Sequence, residues 1–188
     1  MAAIHSFSEW LNESVKPIPS MNLESGLEII KGLVNRGFKP KTAAAIAGNM
    51  WIESKFNPAI IGQGKDPYVG LIQWGSVGKR KQKLMAKPNW KKTETQLDFI
   101  KQEFDTVASY KQALPSIDSA QTPEKAAEIV SRRYEGTTHG IPLRMQAASQ
   151  LFDEWSKNNA PEETPKAYFQ PGGDEDDSAW GKPVTQTN

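Results

Sequence analysis

The sequence contains no cysteine, which excludes disulfide frameworks and thiolate sites and frees the fold from the redox state of its compartment. Histidine is nearly as scarce. His5 and His139 are the two present, so a histidine-rich metal site or a Ser-His-acid triad gains little support, and no cofactor is implied. The longest apolar run, residues 43–52, is interrupted by Gly48 and Asn49 and falls far short of the roughly 20 residues of a membrane helix. No span is expected. The N-terminus lacks a basic region followed by an apolar core, so no Sec-type signal peptide is read there. Charge of one sign is also lacking overall, since the formal net charge is +1. It is unevenly placed, however. From residue 159 onward six acids face Lys166 and Lys182, a tail of −4, which leaves 21 basic and 16 acidic residues in a body of +5. Such a body suits an anionic partner.

What is present is enough for one core: 188 residues, 37% of them hydrophobic. Residues 1–21 read as an arm, with a short amphipathic helix over 7–15 and a Pro17-Ile18-Pro19 linker. Residues 22–158 read as the domain, and 159–188, rich in Pro, Glu, Asp and Gly, as an acidic disordered tail. Within the domain, Leu23, Leu27, Ile30, Leu33 and Val34 recur at helical spacing and Gly37 follows as a stop. Pro40 opens a second helix that runs to about Ser54. Residues 55–75 are punctuated by Pro58, Gly62, Gly64, Pro67 and Gly70 and read as loop plus a small hairpin. A basic helical turn over 79–86 follows, then one helix over 93–113 ended by Pro115, one opened by Thr122-Pro123-Glu124 and left at Gly136, and a last over 143–155. The fold class is therefore mainly α, a helical domain with a small β element.

The densest chemistry lies in residues 42–74. Glu53 stands at the end of an almost wholly apolar helix, where desolvation disfavours the charged form of a lone carboxyl group and keeps a proton available. The segment closed by Gly70-Leu71-Ile72-Gln73-Trp74 would wall a cleft beside it. Breaking a glycosidic bond needs a protonated acid at the leaving oxygen and a group that manages the oxocarbenium-like centre opposite. Glu53 suits the first task. Asp66, thirteen residues on, is the candidate for the second, and equally a turn residue capping its own backbone. Gln73 could hydrogen-bond a sugar, while Trp74 and Tyr68 suit either stacking on a ring or packing. The cluster Lys79, Arg80, Lys81, Lys83, Lys87, Lys91 and Lys92 could track an anionic polymer or be a solvated face, and it lacks base-reading motifs that would specify nucleic acid.

Glu53-Ser54 on a helix end followed by a Gly-Leu-Ile-Gln turn resembles the Glu-Ser and Gly-Leu-Met-Gln pair of goose-type lysozymes and soluble lytic transglycosylases. The closer resemblance is to phage tail lysozyme domains, through Gly48-Asn49, Glu53-Ser54, Asn57-Pro58, the 70–74 turn, Arg80, Tyr134-Glu135 and Arg144, over roughly residues 23–155. It implies a lysozyme-like domain with Glu53 and Asp66 as catalytic residues and Ser54, Tyr68, Gln73, Trp74, Tyr134 and Glu135 against the substrate. Tyr134 would line the cleft floor, or it would only pack while Glu135 pairs with Arg132, Arg133 or Arg144. The implied reaction is cleavage of the β-1,4 bond between N-acetylmuramic acid and N-acetylglucosamine, by a virion tail component in contact with peptidoglycan strands and other tail proteins. A holin-released endolysin is the other location. Goose-type enzymes carry an Asp where this chain has Gly75, which opens the alternative of lytic transglycosylation by Glu53 alone. A structural tail protein on the same scaffold is the rival from another class.

Overall fold

A computed structural model describes residues 18–159, so the expected arm helix over 7–15 and the acidic tail beyond residue 159 lie outside the described residues. The described residues form seven α-helices: α1 (Leu23–Val34), α2 (Pro40–Ser54), α3 (Arg80–Met85), α4 (Thr93–Thr106), α5 (Ala108–Asp118), α6 (Pro123–Val130) and α7 (Ile141–Asn158). The mainly α expectation holds.

Helix α2 is the axis. Its residues from Thr42 to Trp51 are all buried, which is how a helix apolar on every side must sit. Helices α1, α6 and α7 pack around it. Pro40 fits the first turn because its missing N–H would be unpaired there anyway. Gly48 marks the crossing with α7. A Cβ at this position would lie 2.6 Å from the backbone N of Ala148 and 2.8 Å from the carbonyl of Arg144, so only a hydrogen lets the two backbones meet.

Two sequence-based expectations are corrected. The helix expected over 93–113 is two helices, broken at Val107, whose extended backbone (φ −90°, ψ 115°) closes α4 and opens α5. The break turns Tyr110 back against Phe104 and Tyr134. Pro115 does not end a helix but lies inside α5. The hairpin is also smaller than expected: among the described residues it consists of two isolated antiparallel bridges, Ile61 with Val69 and Val69 with Trp74. Glycine and proline at so many of its positions leave no run long enough for a strand.

Helix α6, capped by the Thr122 hydroxyl on the Lys125 N–H, continues into one π-helical turn, Ser131–Glu135, before Gly136 exits at φ 73°. The close crossing at Gly48 predicts that Gly48→Ala loses about 1–3 kcal/mol through overpacking, although alanine is the better helix former. Urea unfolding measures this, and an unchanged midpoint would show that the two backbones do not meet so closely.

Candidate active site

Glu53 is the penultimate residue of α2, where the unpaired carbonyls of a helix end give a partial negative charge. A carboxylate there needs a cation, and α7 supplies it. Arg144, 2% exposed, donates from Nη2 to Glu53 Oε1. Its Nη1 donates to Glu135 Oε2 at 2.7 Å and to Asn49 Oδ1 at 3.0 Å, and its Nε to the carbonyl of His139 at 3.0 Å. Asn49 is held in turn, because its amide donates to the carbonyls of Ala45 on α2 and Ala127 on α6. The Gly48-Asn49 step thus has a physical reason: the glycine lets α7 approach, and the asparagine orients the arginine that α7 carries.

Glu53 is therefore not the lone carboxyl group that its apolar helix suggested. It shares Arg144 with Glu135, and the two carboxyl groups lie within hydrogen-bonding reach of each other. Their surroundings differ. The side chain of Glu53 is 22% exposed, that of Glu135 5%. Burial pushes Glu135 up to about 8, with Arg144 opposing the shift and the neighbouring Glu53 reinforcing it. Glu135 is thus the strongly desolvated carboxyl group of the cluster.

A second buried network backs the first. Glu103 of α4 accepts from Trp74 Nε1 at 3.0 Å, Tyr134 OH at 2.7 Å and Arg80 Nε at 2.6 Å. Burial works against the charge of Arg80, but its bonds to Glu103 hold the guanidinium charged and raise its pKa. Burial, then Glu103, raises the Tyr134 phenol well above its ordinary range. Tyr134 stacks on Phe104 with ring centroids 4.6 Å apart and lies 4.9 Å from the Arg80 guanidinium. The π-helical turn sends these neighbours apart, Tyr134 into the Glu103 network and Glu135 into the Arg144 network.

The loop wall is fastened from below. Buried Gln96 accepts from the Leu71 N–H at 2.7 Å and donates to the carbonyls of Pro58 and Trp90. Gly70, at φ 74°, leaves room for this amide, which a Cβ would meet at 2.7 Å. Ser54 ties the end of α2 to the same turn by donating to Leu71 O at 2.8 Å. Gln73 holds a left-handed backbone (φ 51°) and donates to the Gly70 carbonyl at 3.0 Å.

The residues expected against a substrate separate into two sets. Tyr68 is 58% exposed, and its ring lies across Gly75, where a Cβ would come within 2.6 Å of it. Gln73 is partly exposed. Ser54, Trp74 and Tyr134 are buried and engaged in internal hydrogen bonds. Glu135 is interior too and pairs with Arg144, the alternative left open for it. Asp66 is exposed on the loop, bonded to Lys81 Nζ and, at 2.8 Å, to the Ser76 hydroxyl. The bond to Lys81, then that to Ser76, holds its carboxyl below the usual range.

Sequence reasoning missed Gln96 and Glu103 altogether. Their signal was present: both fall on the buried stripe of α4 with Leu97, Ile100 and Phe104, and a polar side chain on such a stripe must have a partner. Arg144 entered through the resemblance, and Asn49 and Arg80 were read otherwise only as a break in an apolar run and as part of a basic cluster. Among the described residues no three His, Asp or Glu side chains are placed to hold a metal ion.

Compared with known proteins, the chain finds no significant match among curated sequences. A family model described as phage tail lysozyme matches residues 25–155, from the first turn of α1 to the last turns of α7, and so takes in both buried networks and the loop between them. The chain belongs to the phage tail lysozyme family.

Proposed function

We propose that the protein cleaves the β-1,4 bond between N-acetylmuramic acid and N-acetylglucosamine in peptidoglycan, with Glu53 as general acid. The observation that carries this reading is the two-sided setting of Glu53, part exposed on one side and held on the other by buried Arg144. One oxygen is fixed by the guanidinium and the group still meets solvent, the position an acid must have to reach a leaving oxygen. Asp66 is the candidate for the far side of the sugar, because Lys81 and Ser76 keep it anionic on an exposed loop. Tyr68, exposed, and Gln73, partly exposed while its amide donates to the Gly70 carbonyl, are the side chains of the wall that can meet sugar. The family's description supports a virion tail component that opens the wall locally during genome delivery, and the basic body suits an anionic envelope.

One observation favours a second reading. Asp66 is already engaged by Lys81, and Tyr68 covers Gly75, where goose-type enzymes carry another acid. Without a free base Glu53 would act alone, and the muramoyl 6-hydroxyl would attack to leave a 1,6-anhydro end.

Glu53→Gln should fold normally and release muropeptides about 10²–10⁴-fold more slowly. Clearance of cell walls at the parental rate would remove Glu53 as the acid. Asp66→Asn divides the mechanisms. Severe loss of reducing-end products, read by mass spectrometry, is expected of the hydrolase, whereas near-parental release, or anhydro ends from the parent protein, would favour the second reading. Tyr134→Phe should cost about 1.5–3 kcal/mol in urea unfolding, the range for a hydrogen bond to a charged group, without raising KM for peptidoglycan. A raised KM with unchanged stability would return Tyr134 to the cleft floor.

A further inference from the structure

The Arg144 cluster contains two carboxyl groups and one cation, and that imbalance has a chemical meaning. Were both carboxyls ionised, a buried site at the negative end of α2 would carry an uncompensated charge. The geometry also leaves one atom unsatisfied. Glu135 Oε1 is buried with no donor facing it, and two carboxyl groups within hydrogen-bonding reach can bond only if one of them is protonated.

Resting on the reading of Glu53 as the acid, we propose that Glu135 is a positioning residue that shares one proton with Glu53, holding it while the cleft is empty and passing it across when a glycan strand displaces water. In the transfer the O–H bond of Glu135 breaks and one on Glu53 forms. Arg144, bonded to both, neutralises whichever carboxyl is left anionic. Glu53 then protonates the glycosidic oxygen as the C–O bond breaks toward it, and the proton lost by the incoming hydroxyl group returns to the pair, directly to Glu53 where Glu53 acts alone or from Asp66 through solvent where Asp66 is the base, so the pair ends with the one proton it began with.

The charged surroundings allow no other source. From α2 Glu135 faces Glu53, from α7 it faces Arg144, and its own turn adds the Tyr134 phenol, which is bonded to Glu103. Arg80 is committed to Glu103, Arg132 is exposed and paired with Glu128, Arg133 is exposed, and His139 offers its backbone carbonyl to Arg144 while its ring is exposed. Burial explains the resting place of the proton. Glu135 is the drier of the two carboxyls, so its charge is the costlier to desolvate.

The pH dependence of kcat/KM on purified peptidoglycan, compared between parent and Glu135→Gln, tests this. Glutamine keeps the size and can still bond Arg144 and Glu53, but it cannot hold a titrating proton. The loss of rate should therefore grow with pH, about fivefold greater at pH 8 than at pH 5 for a one-unit displacement of the alkaline limb. A merely structural role would lower the rate evenly across pH, and that result would overturn the proposal. Carboxyl ¹³C titration of Glu135 gives a readout independent of activity. In the Glu53→Gln protein its midpoint should fall, because the neighbouring anion is gone. An unchanged Glu135 midpoint in an inactive Glu53→Gln protein overturns the shared proton alone, whereas an active Glu53→Gln protein removes the underlying reading of Glu53.

Discussion

Arg144 is inserted, almost without exposure, between two acidic side chains and an amide, and it gathers parts of the chain that are far apart in sequence. Asn49 and Glu53 come from α2, Glu135 from the turn after α6, and the arginine itself from α7. A guanidinium suits this position because its donors form a rigid planar fork, so one side chain fixes several acceptors in set directions. The packing serves that geometry. Gly48 brings α7 onto α2 closely enough for the arginine to reach Asn49, and the burial of α2 among mostly apolar side chains keeps water from competing. Removing one partner from such a buried group leaves unpaired charge, an effect of roughly 3–5 kcal/mol. The site and the core are thus one mechanical unit.

Around that unit, Glu103 does for the loop side what Arg144 does for the helical side. It is a buried acid whose oxygens collect Arg80, Tyr134 and Trp74, and so it fastens the 70–74 turn and the π-helical turn to α4. Tyr134 and Glu135 are adjacent and serve opposite networks, so any displacement of the π-helical turn moves both. Ser54 and Gln96 complete the frame by holding Leu71 from two sides. What the frame leaves outside is short: Tyr68 over Gly75, Gln73, Asp66 with Lys81, and the open side of Glu53.

Much of the helical layout was legible because it follows from local rules. The stripe of α1, Pro40 at the start of α2 and Thr122 before α6 each fix a boundary through nearby atoms. The break at Val107 was not legible, since the apolar stripe continues across it and Pro115 offered a more conspicuous stop. Glu53 was legible as a carboxyl group at the helix end, but its partners were not. Arg144 lies 91 residues away, and Glu103 lies 29 from Trp74 and 31 from Tyr134. A buried aromatic bonded to a distant acid and an exposed one stacked on a sugar have the same local sequence. The desolvation argument applies with more force to Glu135, and only the packed structure reveals that Glu135 is the drier carboxyl group.

The dependence of the acid on the arginine is tested most directly by Arg144→Lys, read by muropeptide release together with thermal unfolding. Lysine keeps the charge but brings a single ammonium that cannot hold Glu53, Glu135, Asn49 and the His139 carbonyl at once. The expected result is a folded protein of lowered stability whose release rate falls at least tenfold. Parental release from the Arg144→Lys protein would contradict the account, because Glu53 would then be positioned without the fork on which the rest of the site depends.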